Sequence, residues 1–352
     1  NIIINGGMQV SQRGTSTGSI SSGNNFVLDR TRLQPTNAGT WTMSQSTTVP
    51  TGQGFSHSLK LDCTTADTSF GSGDALVLQQ LIEGQDVQQF AFGTSDAKSV
   101  TVSFWIRSNK TGTYTLEVQQ QNSSSGFYQN AKTFTISSAN TWEKKEITFV
   151  GNTSQNIINS NAVGFYVSIW LGTGTSRTSG TFTNGTWHNT TANRISSSNV
   201  NLADSTDNEL YLTGLQLEVG EQATPFEHRS FGEELALCQR YYTVIADGSN
   251  TNDSGYAPIF MGCMYASNQM FAQTQLPTEM RTFPTLEIVN SANYYSIYRN
   301  GAADTFETLT LHKASTRAVE VYNNTAVSGT AGHAGFIRTY NANAKFALTA
   351  EL

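Results

Sequence analysis

The chain has 352 residues, of which 13% are charged, with 20 Lys and Arg against 26 Asp and Glu for a formal charge of −6. Scattered bases outnumbered by acids exclude a phosphate-tracking nucleic-acid binder, and no apolar run reaches the ~18 residues of a membrane-spanning helix, so membrane insertion is not expected. The 37% hydrophobic and 11% aromatic residues suffice for a sizeable core, and the wealth of uncharged Ser, Thr and Asn suits contact with proteins or neutral sugars.

Period-two alternation dominates the first two thirds of the chain and predicts an all-β fold. Strands read at 58–64 (Leu59, Leu61, Cys63), 98–108 (Val100, Val102, Phe104, Ile106), 113–120 (Tyr114, Leu116, Val118) and 142–150. In 162–171, Val163, Phe165, Val167, Ile169 and Leu171 alternate with Gly164, Tyr166, Ser168 and Trp170. Such runs call for an antiparallel sandwich with one buried face per sheet. Residues 172–203 lose this periodicity and read as a long surface loop or a pair of ragged strands. In 209–219 the apolar parity changes across Gly214, the pattern of a β-bulge. Asn5–Gly6, Asn184–Gly185 and Asn300–Gly301 are dipeptides that accept positive φ in tight turns.

A capping box follows at Ser230-Phe231-Gly232-Glu233, with Leu235, Cys238 and Tyr242 at helical spacing, predicting a helix over 231–242. Beyond it, strands at 258–265, 270–276, 285–289, 294–298, 308–312, 318–322, 335–340 and 345–352 have the spacing of a second, smaller sandwich. The expected organisation is a jelly-roll domain at 1–228, a linking helix at 229–245 and a C-terminal β-sandwich at 246–352. Cys63, Cys238 and Cys263 lack the spacing of a disulfide framework or zinc site and read as three reduced, mostly buried thiols.

Two segments, NIIINGGMQVSQRG (1–14) and ELYLTGLQLEVGEQATPFEHRSFGEELALCQRYY (209–242), resemble the opening strand and the closing strand with linking helix of a module common in tailed-bacteriophage fibre and other virion proteins. LPTEMRTFPTLEI (276–288) and KFALTAEL (345–352) resemble the β-domain that often follows it. The first domain also resembles jelly-roll carbohydrate-binding modules. The resemblance implies a virion structural protein, not an enzyme, exposed on the particle as a fibre or head appendage. Its implied partners are itself, with a trimer favoured, other virion proteins and host-surface glycan. The alternatives are a capsid decoration or connector protein, and a polysaccharide depolymerase.

Sugar binding needs flat aromatic faces beside amides and carboxylates. Strand parity turns Trp105, Tyr166, Trp170 and Tyr211 away from the aliphatic faces, with Glu117 and Gln119 flanking, and Trp187, in the polar loop beside His188, is a separate candidate for a contact at the loop tip. The competing expectation is that this aromatic face is covered by another subunit or by the second domain. Asp204, Asp207 and Glu209 bring three carboxylates into six residues, oxygen chemistry that suits calcium, although the spacing is not that of an EF-hand and a solvated turn is the simpler expectation. No cofactor is otherwise expected. Glu143 and Glu146 flank Lys144 and Lys145 as a charged strand edge rather than a hydrolytic pair.

Overall fold

The computed structural model describes residues 1–122, 126–253 and 255–352. The chain forms two compact units, Asn1–Glu234 with Leu352, and Leu235–Glu351. No helix among the described residues is long and apolar enough to cross a membrane.

The first unit carries β1 (Ile20–Ser22), β2 (Asn25–Phe26), β3 (Thr31–Ser46), β4 (Ser58–Thr65), β5 (Ala75–Glu83), β6 (Val100–Ser108), β7 (Gly112–Gln121), β8 (Phe127–Ile136), β9 (Glu143–Phe149), β10 (Val163–Thr173) and β11 (Glu209–Val219). All pair antiparallel in the order β8-β7-β10-β5-β3-β4-β11-β6-β9, with β1 and β2 added on β3. The long β3 is the seam between the two halves of this jelly roll. Its first half pairs with β5 and its second half with β4. Between them lie Asn37 and Gly39 at positive φ, and a side chain at 39 would collide with the Thr65 carbonyl, so glycine is required where the strand turns from one half-sheet to the other. The halves close on one core, where Phe104 of β6 meets Phe134 of β8 at 5.4 Å and Tyr114 of β7 stacks on the same ring.

The alternation expected for β6 holds: Val100, Val102, Phe104 and Ile106 are fully buried. The bulge expected at Gly214 is present, with φ +64 there and a register shift between Thr213 and Gln216 against β6. Because of it, Thr213 and Gln216 both face away from the core.

α1 (Phe231–Gln239) starts with the predicted capping box: the Glu233 carboxylate accepts from the Ser230 amide at 3.0 Å, and the Glu233 amide donates to the Ser230 hydroxyl at 3.3 Å. The helix is shorter than expected. Tyr242, Thr243 and Val244 are aromatic and β-branched, and they enter β12 (Tyr242–Asp247) rather than a third helical turn.

The second unit is a sandwich of two sheets. One is β12-β21-β15, with β15 (Thr285–Val289) and β21 (Lys345–Thr349). The other runs β17-β16-β20-β13-β14-β19-β18, with β13 (Pro258–Ala266), β14 (Gln269–Gln275), β16 (Tyr295–Arg299), β17 (Ala302–Phe306), β18 (Thr310–Ala314), β19 (Ala318–Asn323) and β20 (Ala334–Thr339). Asn300 and Gly301, both at positive φ, turn β16 into β17. The core joins Phe260, Met264, Tyr295, Ile297, Ile337 and Phe346. Cys63 and Cys238 are buried as expected, but Cys263 is exposed, because it alternates with core residues on β13 and points out of the sandwich.

Candidate functional site

The five predicted aromatics do not converge: Tyr166 and Trp170 lie on the outer face of one half-sheet, Trp105 and Tyr211 on that of the other, and Trp187 packs against the core from the loop. On the first, strand register sets out rows of side chains across β8, β7, β10, β5 and β3. One row is Ala131, Glu117, Ser168, Gln79 and Arg32, and the next is Thr133, Thr115, Trp170, Val77 and Gln34. Arg32 donates to Gln79 at 2.6 Å and Gln79 to the Ser168 hydroxyl at 2.9 Å.

Trp170 has the predicted orientation but is only 3% exposed. The cover is the chain's own polar loop, not another subunit. Ile195 packs on Trp170, and the guanidinium groups of Arg177 and Arg194 lie 5.4 and 5.3 Å from its ring centroid. Fully buried Glu117 fixes the arrangement, accepting the Trp170 indole N–H at 3.0 Å and a two-pronged pair from Arg194 at 2.8 and 2.7 Å. Tyr166, half-buried beside exposed Phe127 at 6.3 Å, remains at the margin of this face.

Trp187 is an anchor rather than a loop tip: its indole donates to the Val150 carbonyl at 2.7 Å and its ring meets Phe92 at 5.5 Å. The neighbouring His188 is pushed below its usual range by burial, and its backbone bridges Gln129 of β8. Residues 172–203 are thus a loop tied across the sheet face by short 3₁₀ turns, one at Thr175–Arg177 and one at Thr191–Asn193.

Tyr211, on the opposite half-sheet, is 7% exposed. Arg107 lies 4.9 Å over its ring and its hydroxyl donates to Glu209 at 3.1 Å. The three carboxylates proposed for calcium are used separately. Asp204 pairs with Lys110 and accepts from Asn208, Glu209 pairs with Lys60 at 3.1 Å, and Asp207 sits in an exposed turn. Among the described residues no group of three His, Cys, Asp or Glu side chains is placed to hold a metal ion. Lys144 and Lys145 pair with Glu146 and Glu143, both at 2.6 Å, as a charged strand edge.

Trp105 has a different setting. It is half-buried on the outer face of β6, opposite Thr213 of β11 and Lys144 of β9. The side chains around it enclose a cleft of about 520 Å³, lined by Gln53, Phe55, Ser103, Trp105, Lys144 and Phe226, among others. The Gly214 bulge makes the floor. A Cβ there would lie 2.6 Å from Phe55 and 3.2 Å from Trp105, so the missing side chain lets both rings close over β11.

The wall is a strap following β11, residues 220–228. Glu218 accepts the Thr224 amide at 3.1 Å and the Thr224 hydroxyl, while Gln216 donates to Glu218 at 2.7 Å and accepts the Glu227 amide at 2.9 Å. Burial alone would raise the Glu218 carboxyl, but these donors outweigh it and hold the group below its usual range. So tethered, the strap places Phe226 and His228 against Phe55, with ring centroids at 5.0 and 5.3 Å. The Trp105 indole N–H meets no acceptor among the described residues, unlike those of Trp41, Trp170 and Trp187.

Sequence reasoning found Trp105 through strand parity but missed Phe55, Phe226 and His228. They lie in aperiodic segments, and only the parity break at Gly214 marked where those segments meet the sheet.

No protein-family model and no curated protein matches the chain. Among solved structures it is similar to the enzymatically active domain of tailspike protein 4 of bacteriophage CBA120, at 12% identity over 62% of this chain and 21% of that one, with TM-score 0.33. It is similar to the C-terminal family 22 carbohydrate-binding module of Clostridium thermocellum Xyn10B, at 12% identity over 52% of this chain and 83% of the module, with TM-score 0.29. A family 11 carbohydrate-binding module of Clostridium thermocellum matches at 7% identity over 61% and 99%, also with TM-score 0.29. The chain therefore spans about a fifth of the length of the tailspike domain and nearly all of the family 11 module.

Proposed function

We propose that this chain is a non-enzymatic glycan-binding protein carried on the surface of a tailed-bacteriophage virion, and that the Trp105 cleft takes an uncharged sugar of a host-surface polysaccharide. The observation that carries the reading is the cleft itself: four rings, Trp105, Phe55, Phe226 and His228, gathered around a volume that admits a sugar ring, with amide and hydroxyl side chains at its edge. The C–H face of a pyranose stacks on an indole, and its hydroxyls exchange hydrogen bonds with Gln53, Ser103 and the Trp105 N–H. No carboxylate stands among the described lining residues, a composition that supports binding rather than a paired-acid hydrolysis.

Each contact is weak, and several copies on one particle raise the apparent affinity by about 10²–10⁴. A glycan array probed with wild type, Trp105→Ala and Trp170→Ala tests the reading. Wild type binds at least one neutral glycan and Trp105→Ala loses it. A wild type that binds no glycan and no host cell contradicts the adhesin and favours a connector held by protein contacts alone. Loss of polysaccharide viscosity on incubation with the protein would instead favour the depolymerase.

A further inference from the structure

The seven-stranded sheet of the second unit has one face in the core and one in solvent, and half of the solvent face is apolar. Register places Tyr298, Phe336 and Met261 side by side across β16, β20 and β13, followed by Gln273, Glu320 and Lys313 on β14, β19 and β18. Met261 is 64% exposed, Phe336 59%, Tyr265 71% and Tyr298 36%. Beside Met261, Cys263 and Phe271 is a groove of about 330 Å³ whose lining also includes Gly262, Ala334 and Glu320. Antiparallel sheets with one free face normally place polar residues there, and an exposed apolar patch of this size marks a contact surface.

We propose that this face is where two copies of the chain meet, stacked sheet on sheet. Two features select a second copy as the occupant. The first is charge. Lys313 and Glu320 lie toward one edge of the sheet, while Arg338, stacked at 4.6 Å on both Tyr256 and Tyr298, lies across the apolar centre from them. A two-fold axis along the strands, between β13 and β14, lays β19 of one copy over β20 of the other. Glu320, which also pairs with His312 at 2.5 Å, then lies over the row of Phe336, two residues along β20 from the other copy's Arg338 and within reach of that long side chain, at both ends of an isologous contact.

The second feature is area. The four exposed side chains present on the order of 500 Å² of apolar surface. Together with the Arg338, Gln273 and Glu320 rim this approaches the ~800 Å² per partner of a stable interface.

Sedimentation equilibrium on the full chain tests this. Wild type forms a dimer at about 0.1 mM, and Met261→Lys, at an exposed position that leaves the core intact, weakens association at least ~30-fold. Glu320→Arg alone weakens it about tenfold, and adding Arg338→Glu restores it, a rescue specific to a face that pairs with itself. As a second readout, alkylation of Cys263 in wild type slows as protein concentration rises. A chain monomeric at that concentration overturns the proposal. So does an oligomer indifferent to Met261→Lys and to the charge exchange, or a Cys263 rate independent of concentration.

Discussion

Two tryptophans with the same strand parity meet different fates. Trp105 and Trp170 both alternate with core aliphatics, yet Trp170 is sealed by Arg177, Arg194 and Ile195, while Trp105 faces a cleft. Their substitutions should separate accordingly. Trp105→Ala lowers glycan affinity by about 2 kcal/mol, roughly 30-fold, with the unfolding midpoint little changed. Trp170→Ala removes a buried ring and one of the donors to Glu117, and costs about 3–5 kcal/mol of stability in a denaturant titration. Glu117→Ala behaves similarly, by about 3 kcal/mol, because Arg194 loses its buried partner. Parity was legible in the sequence; exposure was not, since it depends on a loop whose Gly, Ser, Thr and Asn residues carry no periodicity that says where they lie.

Among elements, strands whose outward positions are polar, small or aromatic were readable, and a strand aliphatic on both faces was not. β6 and β10 announce themselves by alternation, whereas every residue of β5 is buried, so its sequence ALVLQQLIE shows no period of two. β3 was hidden by Pro35 and by the Asn37–Gly39 turn that carries it between half-sheets. The capping box and the Gly214 bulge were legible because each has a local chemical cause.

The bulge and the strap also set the cleft's tolerances. Gly214→Ala forces a Cβ into Phe55 at a backbone angle L-residues resist, costs upward of ~1 kcal/mol and abolishes binding. The strap gives a pH dependence. The Glu218 carboxyl is depressed in the folded protein, so its stabilising effect is complete above the ordinary carboxylate range and is lost as pH falls through the folded value. Affinity measured against pH therefore drops in acid, and Glu218→Gln, which keeps the shape but not the charge, flattens that part of the profile.

For the molecule as a whole, the low charge acquires a location. Outward positions such as Thr101, Ser103 and Ser168 are polar yet buried, covered by the strap or by neighbouring side chains; Thr101, for example, donates to the Gly220 carbonyl at 2.8 Å. Uncharged side chains cost little to desolvate in this way. A binding surface without ion pairs to the ligand should be nearly indifferent to salt, so glycan affinity changes little as ionic strength rises severalfold, in contrast to an electrostatic contact.

Sugar binding at the Trp105 cleft is tested most directly by titrating the ¹⁵N-labelled protein with the glycan an array selects, followed at the tryptophan indole N–H resonances. The Trp105 resonance shifts saturably, while those of Trp41 and Trp170, held in internal hydrogen bonds, stay in place. A Trp105 resonance unmoved at saturating glycan would contradict it.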